Sequence, residues 1–161
     1  MRTVIIFINS LILIAFLAAG LAVPSALSAE TIDDYVKLAK EAKKKYNWDN
    51  KKTVTVGIKE FGYEPNKLVF KTGQTYKLEI INIGKEKHYF TAPEFFRAIA
   101  TRKAQNKLAE IKAPFFLALE IMPKGGQLDL YFVPLKKGTY PVYCTRPDHR
   151  KKGGEGKIII E

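Results

Sequence analysis

The sequence predicts a mainly β protein, an antiparallel sandwich of about eight strands with one helix before it and one inserted in it. Three observations lead there. From Lys52 onward apolar residues recur at every second position, the period of a strand with one buried face. Turn signals such as Glu64-Pro65-Asn66, Thr72-Gly73-Gln74, Lys124-Gly125-Gly126 and Lys136-Lys137-Gly138 separate these runs at the short spacing of a sandwich. The length, 161 residues, suits one well-buried domain and is too short for two of ordinary size.

Residues 1–28 have the order of an export signal: Arg2, a nearly unbroken apolar run from Val4 to Val23, then small residues up to Ser28 and Ala29. About 20 apolar residues also just span a bilayer, so an uncleaved anchor is the rival reading, with membrane association only in that case. Export through the inner membrane is common to both, and points to the periplasm. Residues 29–52 carry a helix and linker. Apolar residues at 32, 35, 38, 39, 42 and 46 have helical spacing, Thr31 can cap the start, and Asp33, Asp34 and the lysine run each sit at the helix end they stabilise.

Residues 53–161 form the sandwich. Val54, Val56 and Ile58 share a face, as do Leu68 and Phe70, then Tyr76, Leu78 and Ile80. Leu128, Leu130 and Phe132 repeat the pattern, followed by Tyr140, Val142 and Cys144; His88–Thr91, Phe116–Met122 and Lys157–Glu161 complete the set. Thr91-Ala92-Pro93-Glu94 has capping-box order and precedes a helix-forming run, which predicts an inserted helix over 93–109, a lid packed by Phe95, Phe96 and Ile99.

Charge and cysteine usage exclude several classes. Lys and Arg number 27 against 16 Asp and Glu, a net charge of +11, and loss of Arg2 with the signal lowers this by only one. An exported chain meets little nucleic acid and these lysines carry no nucleic-acid motif, so the surface suits an acidic partner or anionic lipid instead. The lysine run before Tyr46 reads as a solvated helix face. A single cysteine rules out an intramolecular disulfide and any site needing two thiolates.

The soft donors are therefore Cys144, His88, His149 and two methionines. A lone strand-end cysteine is usually a small buried hydrophobe, and a lone loop histidine is usually polar surface. Here all three fall at strand ends, and Cys144 and His149 stand five positions apart across a short loop, so both can point at one atom that His88 reaches from across the sandwich. Core packing alone does not account for that. One thiolate and two imidazoles suit copper, because sulfur stabilises Cu(I) while imidazole serves both oxidation states. With both histidines committed to a metal, no nucleophile has a histidine base, which argues against an enzyme.

Phe61-Gly62-Tyr63-Glu64-Pro65-Asn66, Asn82-Ile83-Gly84 leading to His88-Tyr89-Phe90, and Gly138-Thr139-Tyr140-Pro141-Val142-Tyr143-Cys144-Thr145-Arg146-Pro147-Asp148-His149 together resemble the cupredoxins, the blue-copper family, over residues 53–161. The stretch from His88 to Lys103 is similar to the helical insert of an exported bacterial branch. The resemblance implies a Greek-key sandwich, one copper ion held by His88, Cys144 and His149, and single-electron transfer with a redox partner outside the cytoplasm. One departure stands out. The family's weak axial methionine is replaced by Gly154, Met1 leaves with the signal, and Met122 belongs to another strand. The axial position is then vacant or filled by water, a backbone carbonyl or a carboxylate such as Glu155. Loss of the thioether frees a position for exchange and suits one alternative, a carrier that delivers copper to an exchange partner; a metal-free binding module is the other.

Overall fold

The structure, a computed structural model, describes residues 31–161; the export signal expected at 1–28 lies outside the described residues. Helix α1 (Ile32–Lys45) begins with a complete capping box, in which the Thr31 hydroxyl accepts the Asp34 N–H and the Asp34 carboxylate accepts the Thr31 N–H. Its buried residues, Tyr35 and Ala42, lie on the face turned to the domain. Among the described residues no helix is long and apolar enough to cross a membrane.

Eleven strands follow: β1 (Lys52–Lys59), β2 (Gly62–Glu64), β3 (Lys67–Phe70), β4 (Tyr76–Asn82), β5 (His88–Thr91), β6 (Ile99–Gln105), β7 (Glu110–Ile111), β8 (Ala118–Ile121), β9 (Gln127–Pro134), β10 (Gly138–Tyr143) and β11 (Glu155–Ile160). They form a six-stranded sheet, ordered β2-β1-β4-β9-β6-β7, facing a five-stranded sheet, ordered β3-β11-β10-β5-β8. The sandwich is mixed, where an antiparallel one was expected: β1 pairs parallel with β4, and β3 with β11. After β1 the chain crosses to the other sheet at β3 and returns, so β4 lies beside β1 in the same direction. Two of the strands beyond the expected eight are the short edge pieces β2 and β7.

A further extra strand replaces most of the expected helix. Helix α2 spans only Pro93–Arg97, and the chain enters β6 at Ile99. The capping box is not made either: Ala92 is the N-cap, and the Thr91 hydroxyl faces that of Thr145. Helix-forming residues from Ala98 to Ala104 yield here because β9 offers a ladder on which Ile99 pairs with Pro134, Thr101 with Phe132 and Ala104 with Leu130. Burial of Ile99, Thr101 and Ala104 outweighs the local preference of a few tenths of a kcal/mol per residue. Phe95, Phe96 and Ile99 are buried as expected.

The core centres on aromatic rings between the two sheets. Phe70, Phe95 and Phe132 are fully buried, with centroids 5.1 Å apart for Phe70–Phe132 and 5.3 Å for Phe95–Phe132. Edge-on and stacked geometry lets each ring meet a neighbour's edge or offset face. Phe70→Ala should therefore cost about 3–5 kcal/mol, read as a lowered urea midpoint at unchanged slope; a loss below about 1 kcal/mol would mean the ring is not packed as described.

Candidate metal centre

Three strand ends bring the soft donors together. His88 is the first residue of β5, held opposite Ile121 of β8, and β5 reaches β10 through the pair Thr91–Tyr143. Cys144 follows β10 directly. The loop after it closes on itself: the Cys144 N–H donates to the Gly154 carbonyl at 2.8 Å, and the Gly154 N–H donates to the His149 carbonyl at 2.8 Å. The His149 N–H donates to the Arg146 carbonyl at 3.2 Å. These bonds turn a sequence separation of five into one point in space.

Cys144 Sγ lies 3.9 Å from His88 Nδ1 and 3.7 Å from His149 Nδ1, and the three donor atoms all lie within 4.8 Å of one another. A trigonal metal with sulfur at about 2.3 Å and nitrogen at about 2.0 Å separates sulfur from nitrogen by about 3.7 Å and the nitrogens by about 3.5 Å; the two sulfur–nitrogen distances match, and the imidazoles, with all three donors within 4.8 Å, would need only a small side-chain shift to share one ion. Relative exposures are 0% for His88, 2% for Cys144 and 7% for His149. Burial lowers the His88 pKa, leaving a neutral imidazole with a lone pair to offer. The donor chemistry, two imidazoles and one thiolate, is that of a trigonal copper site.

The surroundings orient these donors. The Tyr89 N–H points at Sγ from 3.5 Å, and its carbonyl accepts the Tyr63 hydroxyl at 2.6 Å. Burial raises the Tyr63 pKa, so that hydroxyl stays protonated. Buried Asn82 pins the turn before His88, donating to the Glu86 and Ile121 carbonyls and accepting the Gly84 N–H. Behind each imidazole stands a carboxylate that sequence reading missed. Glu60 Oε1 lies 3.5 Å from His88 Nε2, and Glu86 Oε2 lies 3.7 Å from His149 Nε2 while pairing with Arg146 at 2.7 Å. Glu60 immediately precedes the Phe61-Gly62-Tyr63 motif, but nothing local ties it to His88.

Of the side chains considered for the axial position, Glu155 is exposed and paired with Arg150, and Met122, already assigned to another strand, is 61% exposed. Gly154 is buried by the loop closure: a Cβ there would fall 2.7 Å from the His149 carbonyl oxygen and 2.9 Å from its carbon. The glycine is a packing requirement of the loop, and a methionine at 154 has no room without moving the His149 backbone.

The model of the cupredoxin-like domain family matches residues 13–160. Among solved structures, the dithionite-reduced auracyanin of Roseiflexus castenholzii is 19% identical, with 68% of this chain and 96% of that chain covered and a TM-score of 0.49. The McoA multicopper oxidase of Aquifex aeolicus is 9% identical, covering 71% and 30% of the two chains with a TM-score of 0.53. A multicopper oxidase of Pediococcus acidilactici is 11% identical, covering 72% and 27% with a TM-score of 0.51. The two oxidase likenesses extend to fold alone, and this chain spans under a third of each oxidase's length. No curated protein matches the chain.

The tight loop generates a prediction. Gly154→Ala should destabilise the protein by about 1–3 kcal/mol, since the obstructing atoms are backbone, and thermal unfolding would read it as a lowered midpoint. An unchanged midpoint would show that the loop relaxes freely around residue 154.

Proposed function

The chain belongs to the cupredoxin family, and from that membership we propose that it is an exported mononuclear copper protein that carries single electrons, with His88, Cys144 and His149 as its ligands. The observation that carries this reading is the buried donor triangle, with sulfur–nitrogen separations of 3.7 and 3.9 Å already suited to one trigonal ion. Bound copper supplies a Cu(II)/Cu(I) couple. The residues around it do the rest: the two Nδ1 atoms and Sγ are buried and gathered within 4.8 Å, which limits how far they can move on a change of oxidation state, and the Tyr89 N–H stabilises negative charge on sulfur. Burial of all three donors favours electron passage over chemistry on a bound substrate, because an electron needs no open path to the metal.

His149 is the ligand nearest the surface, with the half-exposed Phe61 ring edge-on to it at 5.2 Å. Arg146, Arg150, Lys151 and Lys152 rim it, which supports docking of an acidic redox partner. The rim is not bare charge: Arg146 pairs with Glu86, Arg150 with Glu155 and Lys151 with Asp148, while Lys152 lies over the Phe61 ring. Export is supported by the order of the first 28 residues, and a periplasmic location follows from export.

Copper titration of the protein should give an intense thiolate-to-copper band at one ion per chain. Cys144→Ser should abolish the band, and His88→Ala or His149→Ala should weaken binding by more than the roughly 10- to 100-fold that loss of an outer partner costs, with circular dichroism unchanged. Parent-like binding in all three variants would sink the ligand assignment. Tight Cu(I) uptake with ready loss to a chelator would point to copper delivery instead. Electron-transfer rates with an acidic partner should fall only gently as salt shortens the screening length below about 10 Å, because most of the rim is already paired; a rate indifferent to salt would remove the rim from docking.

A further inference from the structure

We propose that Glu60 is a positioning residue for His88: it fixes the imidazole in the Nε2–H tautomer, so that the Nδ1 lone pair faces Cys144, and its charge biases the site toward Cu(II). The proposal rests on the reading of His88 as a copper ligand. Its geometric basis is independent of any metal. His88 is fully buried, and its Nε2 makes no hydrogen bond, yet Glu60 Oε1 stands 3.5 Å from it. A neutral imidazole carries one proton, and the nitrogen facing a carboxylate is the one that keeps it.

The carboxylate is itself held in place. Glu60 Oε1 accepts the Lys85 N–H at 2.6 Å and the Glu86 N–H at 2.9 Å, which ties it to the turn that launches β5. Room for the arrangement comes from Gly84. A Cβ at that position would sit 2.7 and 2.9 Å from the two Glu60 oxygens and 2.9 Å from His88 Nε2. The absent side chain lets carboxylate and imidazole approach over the turn's backbone. Glu60 thus joins two tasks, closing the turn and addressing the ligand, and these separate experimentally.

A carboxylate behind a ligating imidazole raises its basicity and favours the more highly charged ion. The contrast with His149 sharpens the assignment. The carboxylate behind that ring, Glu86, shares its charge with Arg146 at 2.7 Å, whereas Glu60 makes no comparable ion pair with a lysine or arginine among the described residues. The Glu60 charge is shared with neutral backbone N–H groups and with no cationic side chain, so a net negative charge stays beside His88.

Two variants test this. Glu60→Gln keeps an oxygen for the Lys85 and Glu86 N–H groups but removes the charge; Glu60→Ala removes both. In the copper-free parent, nitrogen NMR of His88 should show the Nε2–H tautomer, and in Glu60→Ala the Nδ1–H form should appear. In Glu60→Gln, with parent-like circular dichroism, the ratio of Cu(II) to Cu(I) affinity should fall about tenfold, a rise in potential of about 59 mV for one electron. A purely structural role would leave that ratio unmoved in Glu60→Gln, and such a result would overturn the proposal, as would an Nδ1–H parent. A parent that takes up no copper would overturn the copper reading alone, and the tautomer would still decide the Glu60 contact.

Discussion

Two of the three donors at the site depend on two backbone hydrogen bonds that close one loop. Cys144 N–H to Gly154 carbonyl, and Gly154 N–H to His149 carbonyl, set where the thiol and the second imidazole meet. Neither bond involves a side chain, so the loop's shape is indifferent to most of the residues it carries. The side chains of the arginines and lysines from Arg146 to Lys152 take no part in these two bonds and make their contacts at the surface. Gly154, at which both bonds converge and no Cβ fits, has no such latitude, and Gly153 beside it takes a left-handed φ of 103°.

The third donor arrives by a different route. His88 is placed by sheet register: β5 is held between β8 and β10, and the turn before it is fastened by Asn82 from within and Glu60 from outside. Loop closure and sheet pairing are separate constraints that happen to meet at sulfur. Two frames converging on one point keep the three donor atoms within 4.8 Å of one another without help from any ion.

Much of this was legible in the residues. The donors could be read because they are scarce: with one thiol and two imidazoles in the chain, the ligand set was almost an enumeration. Strands with one buried face could be read because burial imposes a period of two, and β4 alternates buried and half-buried along its whole length. What escaped were relations between distant segments. Strand direction leaves no mark on periodicity, so the parallel pairs β1–β4 and β3–β11 were invisible. The residues after Arg97 favour a helix locally and become β6 only because β9 lies waiting for them. Gly154 stands where the family's methionine would; that the His149 carbonyl also leaves no room for a Cβ there could not be read from the sequence. Glu60 stood one residue before a motif and lacked any local sign of the imidazole it faces.

Strand order also has a temporal side. β11, the last strand, is not an edge: it lies between β3 and β10, and the Cys144–Gly154 loop leads straight into it. β3 therefore has no ladder neighbour until β11, far along the sequence, has formed. The long-range pairing that closes the second sheet is among the slow steps of folding, because its entropy cost comes before its contacts form. The pocket around the Cys144 thiol is consequently finished only when β11 is in place, because the loop that closes on Gly154 leads straight into that strand.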